Sequence, residues 1–290
     1  MSIPIRTTIL TALALVAFAA NSLLCRMALR DFAIDPAGFS AVRLATGAAM
    51  LWLVAVFMGR RRPSWNRGNW LSPLLLFAYA AAFSFAYVTL SVGTGALILF
   101  GAVQGTMILA GLLSGERPHA LQWGGMMLAA GGLVYLVSPG LTAPSPGGST
   151  LMAIAGVTWG FYSLRGRGTT DPIAATVDNF FRALPFAAVL SLVALPWLHA
   201  TPRGLLLAAI SGAITSGLGY VLWYAALRGL SATRAALVQL ATPVFAAFGA
   251  LPVLGEEVSL RLIISTVAIL GGIGVALRKR EHIVRYMGGR

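Results

Sequence analysis

The sequence predicts an all-α integral membrane protein: ten transmembrane helices arranged as two inverted five-helix repeats around a central cavity. Three observations carry this expectation: an apolar composition, ten hydrophobic runs separated by short breaks, and landmarks that recur in the same order in both halves. Of the 290 residues, 58% are hydrophobic and 10% are charged, with a mean hydropathy of +0.83. An ordinary soluble domain carries roughly 25% charged residues, so lipid must be most of this chain's solvent. At about 20 apolar residues per span, the length accommodates roughly ten helices and no sizeable soluble domain.

The apolar runs place helices at about 8–29, 37–58, 71–91, 94–113, 120–138, 149–164, 173–197, 204–226, 235–254 and 260–277. The first follows Arg6 and has the look of a signal peptide, but a counterpart in the second half assigns it to the mature chain. The second opens behind Asp35-Pro36, and Arg60-Arg61-Arg62-Pro63 separates it from the third. Gly115-Glu116-Arg117-Pro118 breaks the chain before the fifth helix. A Pro/Gly/Ser stretch from Ser138 to Ser149 then divides the sequence almost in half. The resulting organisation is a first repeat at 1–140, a linker at 141–148, a second repeat at 149–278 and a basic tail at 279–290.

The net charge of +13 is spread over short segments between apolar runs, which is the pattern of topogenic charge rather than of a nucleic-acid surface. With the N-terminus inside, cytoplasmic segments hold fifteen of the 21 basic residues: Arg6; Arg60, Arg61, Arg62 and Arg67; Arg117; Arg165 and Arg167; Arg228 and Arg234; and Arg278, Lys279, Arg280, Arg285 and Arg290. Both termini are therefore expected in the cytoplasm of a bacterial cell, with the chain in its inner membrane. Cys25 is the only cysteine, which excludes an intramolecular disulfide and a cysteine metal cluster.

The two halves share landmarks. Gly115-Glu116 precedes Gly131-Gly132 by the same spacing with which Gly255-Glu256 precedes Gly271-Gly272. Asp35-Pro36 stands before Arg43 much as Asp171-Pro172 stands before Arg182, and Tyr87 and Tyr224 fall near the ends of equivalent helices. Five helices per copy make the second enter the membrane from the opposite side.

With these landmarks, together with Asn21, Trp159-Gly160 and Thr242-Pro243, the sequence resembles the EamA-type branch of the drug/metabolite transporter superfamily over nearly its whole length. Within that branch it is most similar to the YddG-type exporters of aromatic amino acids. The resemblance implies ten helices in two repeats, with the first, third, fourth, sixth, eighth and ninth surrounding a central cavity.

Candidate functional residues are those out of place in an apolar helix. Arg43 and Arg182 are charges inside predicted spans, and Asp178 lies one turn from Arg182. Arg43 has no local acid, leaving two readings: a partner for a substrate carboxylate, or a side chain snorkelling to the interface. Tyr79, Phe83 and Tyr87 share one face of the third helix; Ser216, Tyr220, Trp223 and Tyr224 form a comparable face on the eighth, and the sixth offers Trp159 and Tyr162. Such stripes also serve packing or interfacial belts, as expected of Trp52, Trp65, Trp70, Trp123 and Trp197. Asn21, Gln104, Gln239 and Thr242 need a hydrogen-bond partner or water, and Pro243 is expected to kink the ninth helix. Glu116 and Glu256 read as helix caps rather than proton carriers.

The resulting expectation is an exporter of amino acids, aromatic and other hydrophobic ones, working by alternating access and facilitated diffusion rather than ion coupling. Tyr87 and Tyr224 would belong to opposite gates. Proton-coupled efflux of cationic compounds is the alternative, since aromatic rings also cage cations. Sugar phosphates would need more buried basic groups. An enzyme is not expected: His119, His199 and His282 lie in loops or the tail, so no helix carries a catalytic base or metal centre. The expected partners are a small-molecule substrate and the lipid bilayer, with no nucleic acid, no cofactor and no metal, in a monomer or weak homodimer.

Overall fold

A computed structural model describes residues 5–59, 70–113, 115, 120–138, 143–166, 171–227, 238–239 and 241–276. These residues fold into α1 (Ile5–Arg30), α2 (Pro36–Phe57), α3 (Leu71–Ala86), α4 (Val92–Leu113), α5 (Ala120–Val137), α6 (Pro146–Gly166) and α7 (Pro172–Val193). After a short turn come α8 (Pro202–Ala226), α9 (Thr242–Leu254) and α10 (Leu260–Ala276). Six of them (α1, α2, α4, α5, α7 and α8) are long and apolar enough to cross a membrane, and α3, α9 and α10 are shorter apolar helices. Glu116, His119, Trp65, His282, the Arg60–Arg62 cluster and the basic tail lie outside the described residues.

Asp35 and Asp171 open α2 and α7 in the same way. Each carboxylate accepts a backbone N–H of the first turn, from Gly38 at 2.8 Å and from Ala174 at 3.2 Å, and each is followed by proline. A carboxylate cap satisfies an orphan donor, and proline at the first helical position loses no hydrogen bond. The Gly-Glu landmarks also have a common backbone basis. Gly115 and Gly255 have φ of +89° and +60°, and Gly255 closes α9 in the left-handed conformation that side chains resist.

Helices of the first half interleave with those of the second. Contacts join α3 and α4 to α6, and α8 and α9 to α1; α2 meets α7 and α8, while α3 meets α7. Exchanging each helix with the one five places along maps this set of contacts onto itself, with α2–α7, α4–α9 and α5–α10 as self-related pairs. The α5–α10 pair packs through glycine. A Cβ on Gly132 would lie 2.7 Å from Ala268, and one on Gly272 would lie 2.5 Å from backbone atoms of α5 at Gly125 and Ala129. Close backbone approach is how helices associate where lipid removes the hydrophobic drive between them. Gly272→Val is therefore expected to push α10 off α5 and cost about 1–3 kcal/mol, the range for overpacking, read as a lowered melting temperature in detergent.

All five connections between α1–α2, α3–α4, α5–α6, α7–α8 and α9–α10 are joined at one end of the bundle. Thr201 N–H donates to Ala33 O at 2.8 Å and Asp35 N–H to His199 O at 3.0 Å, around an antiparallel bridge between Ile34 and Ala200. Arg203 pairs with Asp31 at 3.3 Å. Thr89 and Ser145 hydroxyls lie 2.7 Å apart, Arg261 donates to Ser138 O at 2.5 Å, and Arg30 to Leu254 O at 2.6 Å. Since alternate connections share one end, successive helices run in opposite directions, and this end is closed.

The centre of that closure is Arg26. Its Nη1 donates to the carbonyls of Tyr87 and Val88, each at 2.8 Å, which stand at the C-terminal end of α3. Helix ends leave carbonyls unsatisfied, and a guanidinium supplies them with charge-assisted donors. This explains why α3 stops at Ala86 rather than continuing toward residue 91: Tyr87 is its C-cap, and the next residues turn tightly beneath Arg26. Arg26 Nε is also 3.5 Å from Glu256 Oε1, while Glu256 Oε2 accepts from Val92 N–H at 2.8 Å. Glu256 is thus a cap, but of α4 in the other half rather than of the helix that follows it.

Candidate functional site

A small cavity lies where helices of both halves meet. Its wall takes Phe18, Asn21 and Ser22 from α1, Arg43 from α2, and Tyr79 and Phe83 from α3. Leu99 and Phe100 from α4, Trp159 from α6, Thr215, Ser216 and Tyr220 from α8, and Gln239 complete it. Its volume is ≈ 30 Å³, about the room one water molecule occupies in the liquid and far less than an amino acid needs.

Arg43 is 2% exposed, so it does not snorkel to an interface. Its Nε donates to Ser216 Oγ at 3.0 Å and its Nη2 to Tyr79 OH at 3.1 Å. The guanidinium carbon lies 5.2 Å from the Tyr79 ring centre and 5.1 Å from that of Phe83, within cation–π range. Its Nη1 is buried without a hydrogen-bond partner among the described residues. No acidic side chain lines the cavity among the described residues. Asp178 lies 3.9 Å from Arg182, and Glu256 is engaged at the closed end.

Gly212 brings α8 against α2 here: a Cβ on it would collide with Thr46 Oγ1 and Arg43 O. The helix is locally wound as a π-helix over Ser211–Leu218, a wider turn that recurs at functional sites. Asn21 holds this segment from the α1 side, its Oδ1 accepting from Ser211 Oγ at 2.7 Å and Thr215 Oγ1 at 3.2 Å. Asn21→Leu would take this acceptor from the buried Ser211 hydroxyl, while Thr215 keeps Ser211 O at 2.8 Å, at a cost of about 1–3 kcal/mol. Lowered thermal stability, together with increased amide hydrogen exchange across 211–218, is the expected result.

Aromatic rings form a continuous chain through the site. Tyr79 lies 4.8 Å from Trp159, which lies 5.2 Å from Tyr220, and Phe18 lies 6.0 Å from both Tyr220 and Trp223, measured between ring centres. The Tyr220 hydroxyl is buried and unpartnered among the described residues.

Of the residues singled out in sequence, Asn21, Arg43, Tyr79, Phe83, Trp159, Ser216, Tyr220 and Gln239 line this cavity together. The others stand outside its wall. Tyr162 stacks 5.5 Å behind Trp159 and accepts from Asn179 Nδ2 at 3.3 Å. Trp223 packs on Phe18, Ala14 and Leu15 of α1, and Tyr224 is partly buried at the core edge. Tyr87 is fully buried toward the closed end, 4.7 Å from Phe83. Gln104 faces a separate pocket of ≈ 260 Å³ between α4, α5 and α10. Pro243 lines an apolar groove of ≈ 470 Å³ beside α9 and α10. It sits in the first turn of α9, where proline is tolerated, and the expected kink would fall against a stretch described only at 238–239 and 241. Phe18, Ser22, Leu99, Phe100 and Thr215 are wall residues that the sequence did not single out. Among the described residues no His, Cys, Asp or Glu side chains cluster as a metal site.

Apolar helices packed around a small pocket that holds a buried charge define a multi-pass membrane protein. Two segments, 5–138 and 146–278, each match the model of the EamA-like transporter family, and the chain belongs to that family. It is 52% identical to uncharacterized protein PA1977 of Pseudomonas aeruginosa, with 95% of this chain and 96% of that protein covered. An uncharacterized transporter of Archaeoglobus fulgidus is 26% identical over 96% of this chain and 99% of its own, and the uncharacterized transporter YwfM of Bacillus subtilis is 28% identical over 80% and 81%. A solved crystal structure 18% identical in sequence superposes with a TM-score of 0.64 over 93% of this chain and 96% of its own, which shows a shared fold.

Proposed function

We propose that the chain exports amino acids, aromatic and other hydrophobic ones, across the bacterial inner membrane by alternating access. The observation that carries this reading is Arg43, a buried guanidinium with Nη1 unpartnered among the described residues, set in a cavity walled by aromatic rings. A carboxylate offers the acceptor that this cation lacks, and an aromatic side chain adds ring contacts worth on the order of 1 kcal/mol. A lipophilic cation fits less well, because it would enter beside a like charge with no acidic side chain among the described wall residues to offset either.

Two inverted repeats, 1–140 and 149–278, joined by 141–148, would rock about the cavity. Support comes from the contact pattern that maps onto itself under a five-helix shift, and from the two Asp-Pro caps, which open α2 at the closed end and α7 at the other. The closed end is assigned to the periplasm and both termini to the cytoplasm, following the basic residues. Facilitated diffusion is the preferred energetics, since no described carboxylate stands in the cavity to carry a proton.

The test is uptake of labelled Phe, Trp and Thr into proteoliposomes, with and without an imposed pH gradient. Saturable flux without a gradient is the expected result. Flux only with one restores proton coupling. Absence of amino-acid flux, with export of a cationic dye, overturns the reading.

A further inference from the structure

The sequence holds eight acidic residues, and none is among the described residues that wall the cavity. The fully buried polar atoms of the wall without a hydrogen-bond partner among the described residues are Arg43 Nη1 and the Tyr220 hydroxyl. Asn21, the natural acceptor for an ammonium group, already accepts from Ser211 Oγ at 2.7 Å, with the Thr215 hydroxyl 3.2 Å away. Both atoms can donate to an anion, and no carboxylate among the described wall residues offsets a substrate cation.

We infer that the cavity reads the carboxylate and the ring of its substrate but not the α-amino group, so that aromatic 2-hydroxy and 2-oxo monocarboxylates are substrates alongside the amino acids. This inference rests on the reading of the cavity as the substrate site. An ammonium group entering this pocket loses its hydration and finds no counter-charge, a cost that a hydroxyl or oxo substituent avoids. A monoanion neutralises Arg43, whereas a zwitterion brings a second positive charge into the same low-dielectric space. The anion without the amine is thus held at least as well as the amino acid, and the amine without the carboxylate is not held.

Three probes of one size separate the contributions: phenylalanine, phenyllactate, in which a hydroxyl replaces the amine, and phenethylamine, which lacks the carboxylate. Each competes against labelled phenylalanine in proteoliposome counterflow, and labelled phenyllactate uptake is measured directly, with protein-free liposomes correcting for leakage. Phenyllactate is expected to half-saturate within about threefold of phenylalanine or below it, and phenethylamine at least about 100-fold higher, the factor that loss of a buried charge partner produces. Direct phenyllactate uptake is expected to fall to background in Arg43→Gln and to survive in part in Arg43→Lys.

If phenylalanine is carried but phenyllactate competes tenfold or more weakly, the amine is read; this inference then falls while the amino-acid exporter stands. If phenyllactate is carried and phenylalanine is not, the inference stands and the amino-acid assignment falls. Inhibition by phenethylamine as strong as by phenyllactate overturns both.

Discussion

Replacing Arg43 by glutamine is expected to lower substrate affinity at least about 100-fold, because one partner of a desolvated charge pair is then missing. The same substitution is expected to leave thermal stability unchanged or raise it. The buried guanidinium has an unpartnered Nη1 among the described residues and no carboxylate beside it, so its removal relieves a desolvation cost in the substrate-free protein. A residue present only for packing would show the opposite pair of results, with stability lost and flux preserved. Arg43→Lys keeps the charge but cannot reach Ser216 and Tyr79 together as the planar fork does. It is expected to retain measurable flux with about tenfold weaker half-saturation, a difference near 1.4 kcal/mol. Unaltered transport in Arg43→Gln would remove this residue from the substrate site.

Glu256→Ala is expected to loosen the closed end. One carboxylate caps α4 through Val92 N–H and pairs with Arg26, which itself holds the end of α3, so its loss unfastens elements of both halves together. Cys25, the only cysteine in the chain, is fully buried and stands next to Arg26, which makes it a native reporter. A membrane-impermeant maleimide applied from the closed side should label it slowly in the wild type and about 5- to 30-fold faster in the variant, the shift expected from losing about 1–2 kcal/mol of latch free energy. Equal labelling rates would show that the remaining links, such as Thr201 to Ala33 and Arg30 to Leu254, hold this end shut without Glu256.

The helical architecture was legible because lipid makes apolar runs unambiguous, and glycine, proline and charge mark their ends. The site was legible in part for the same reason. Asn21, Arg43 and Gln239 are costly inside a membrane, and that cost flags them in the bare order of residues. Gln104 carries the same flag yet faces another pocket, since polarity says that a group needs a partner and not which cavity supplies it. Leu99 and Phe100 were invisible because a wall residue and a packing residue of the same type look alike in sequence. The π-helical turn of α8 was also hidden. Counting 3.6 residues per turn groups Ser216 with Tyr220, Trp223 and Tyr224, yet only Ser216 and Tyr220 stand in the wall, while Trp223 packs against α1. The reach of Glu256 to Val92 joins positions 164 residues apart, which no local pattern encodes.

The small volume of the cavity ties recognition to motion. A space of ≈ 30 Å³ must expand before an aromatic molecule enters, so the conformer described is not the one that binds. The measured affinity is then the intrinsic affinity multiplied by the fraction of molecules in the expanded form. Trimming Phe100 or Leu99 at the wall can strengthen apparent binding without adding a contact, simply by making the receptive form more common.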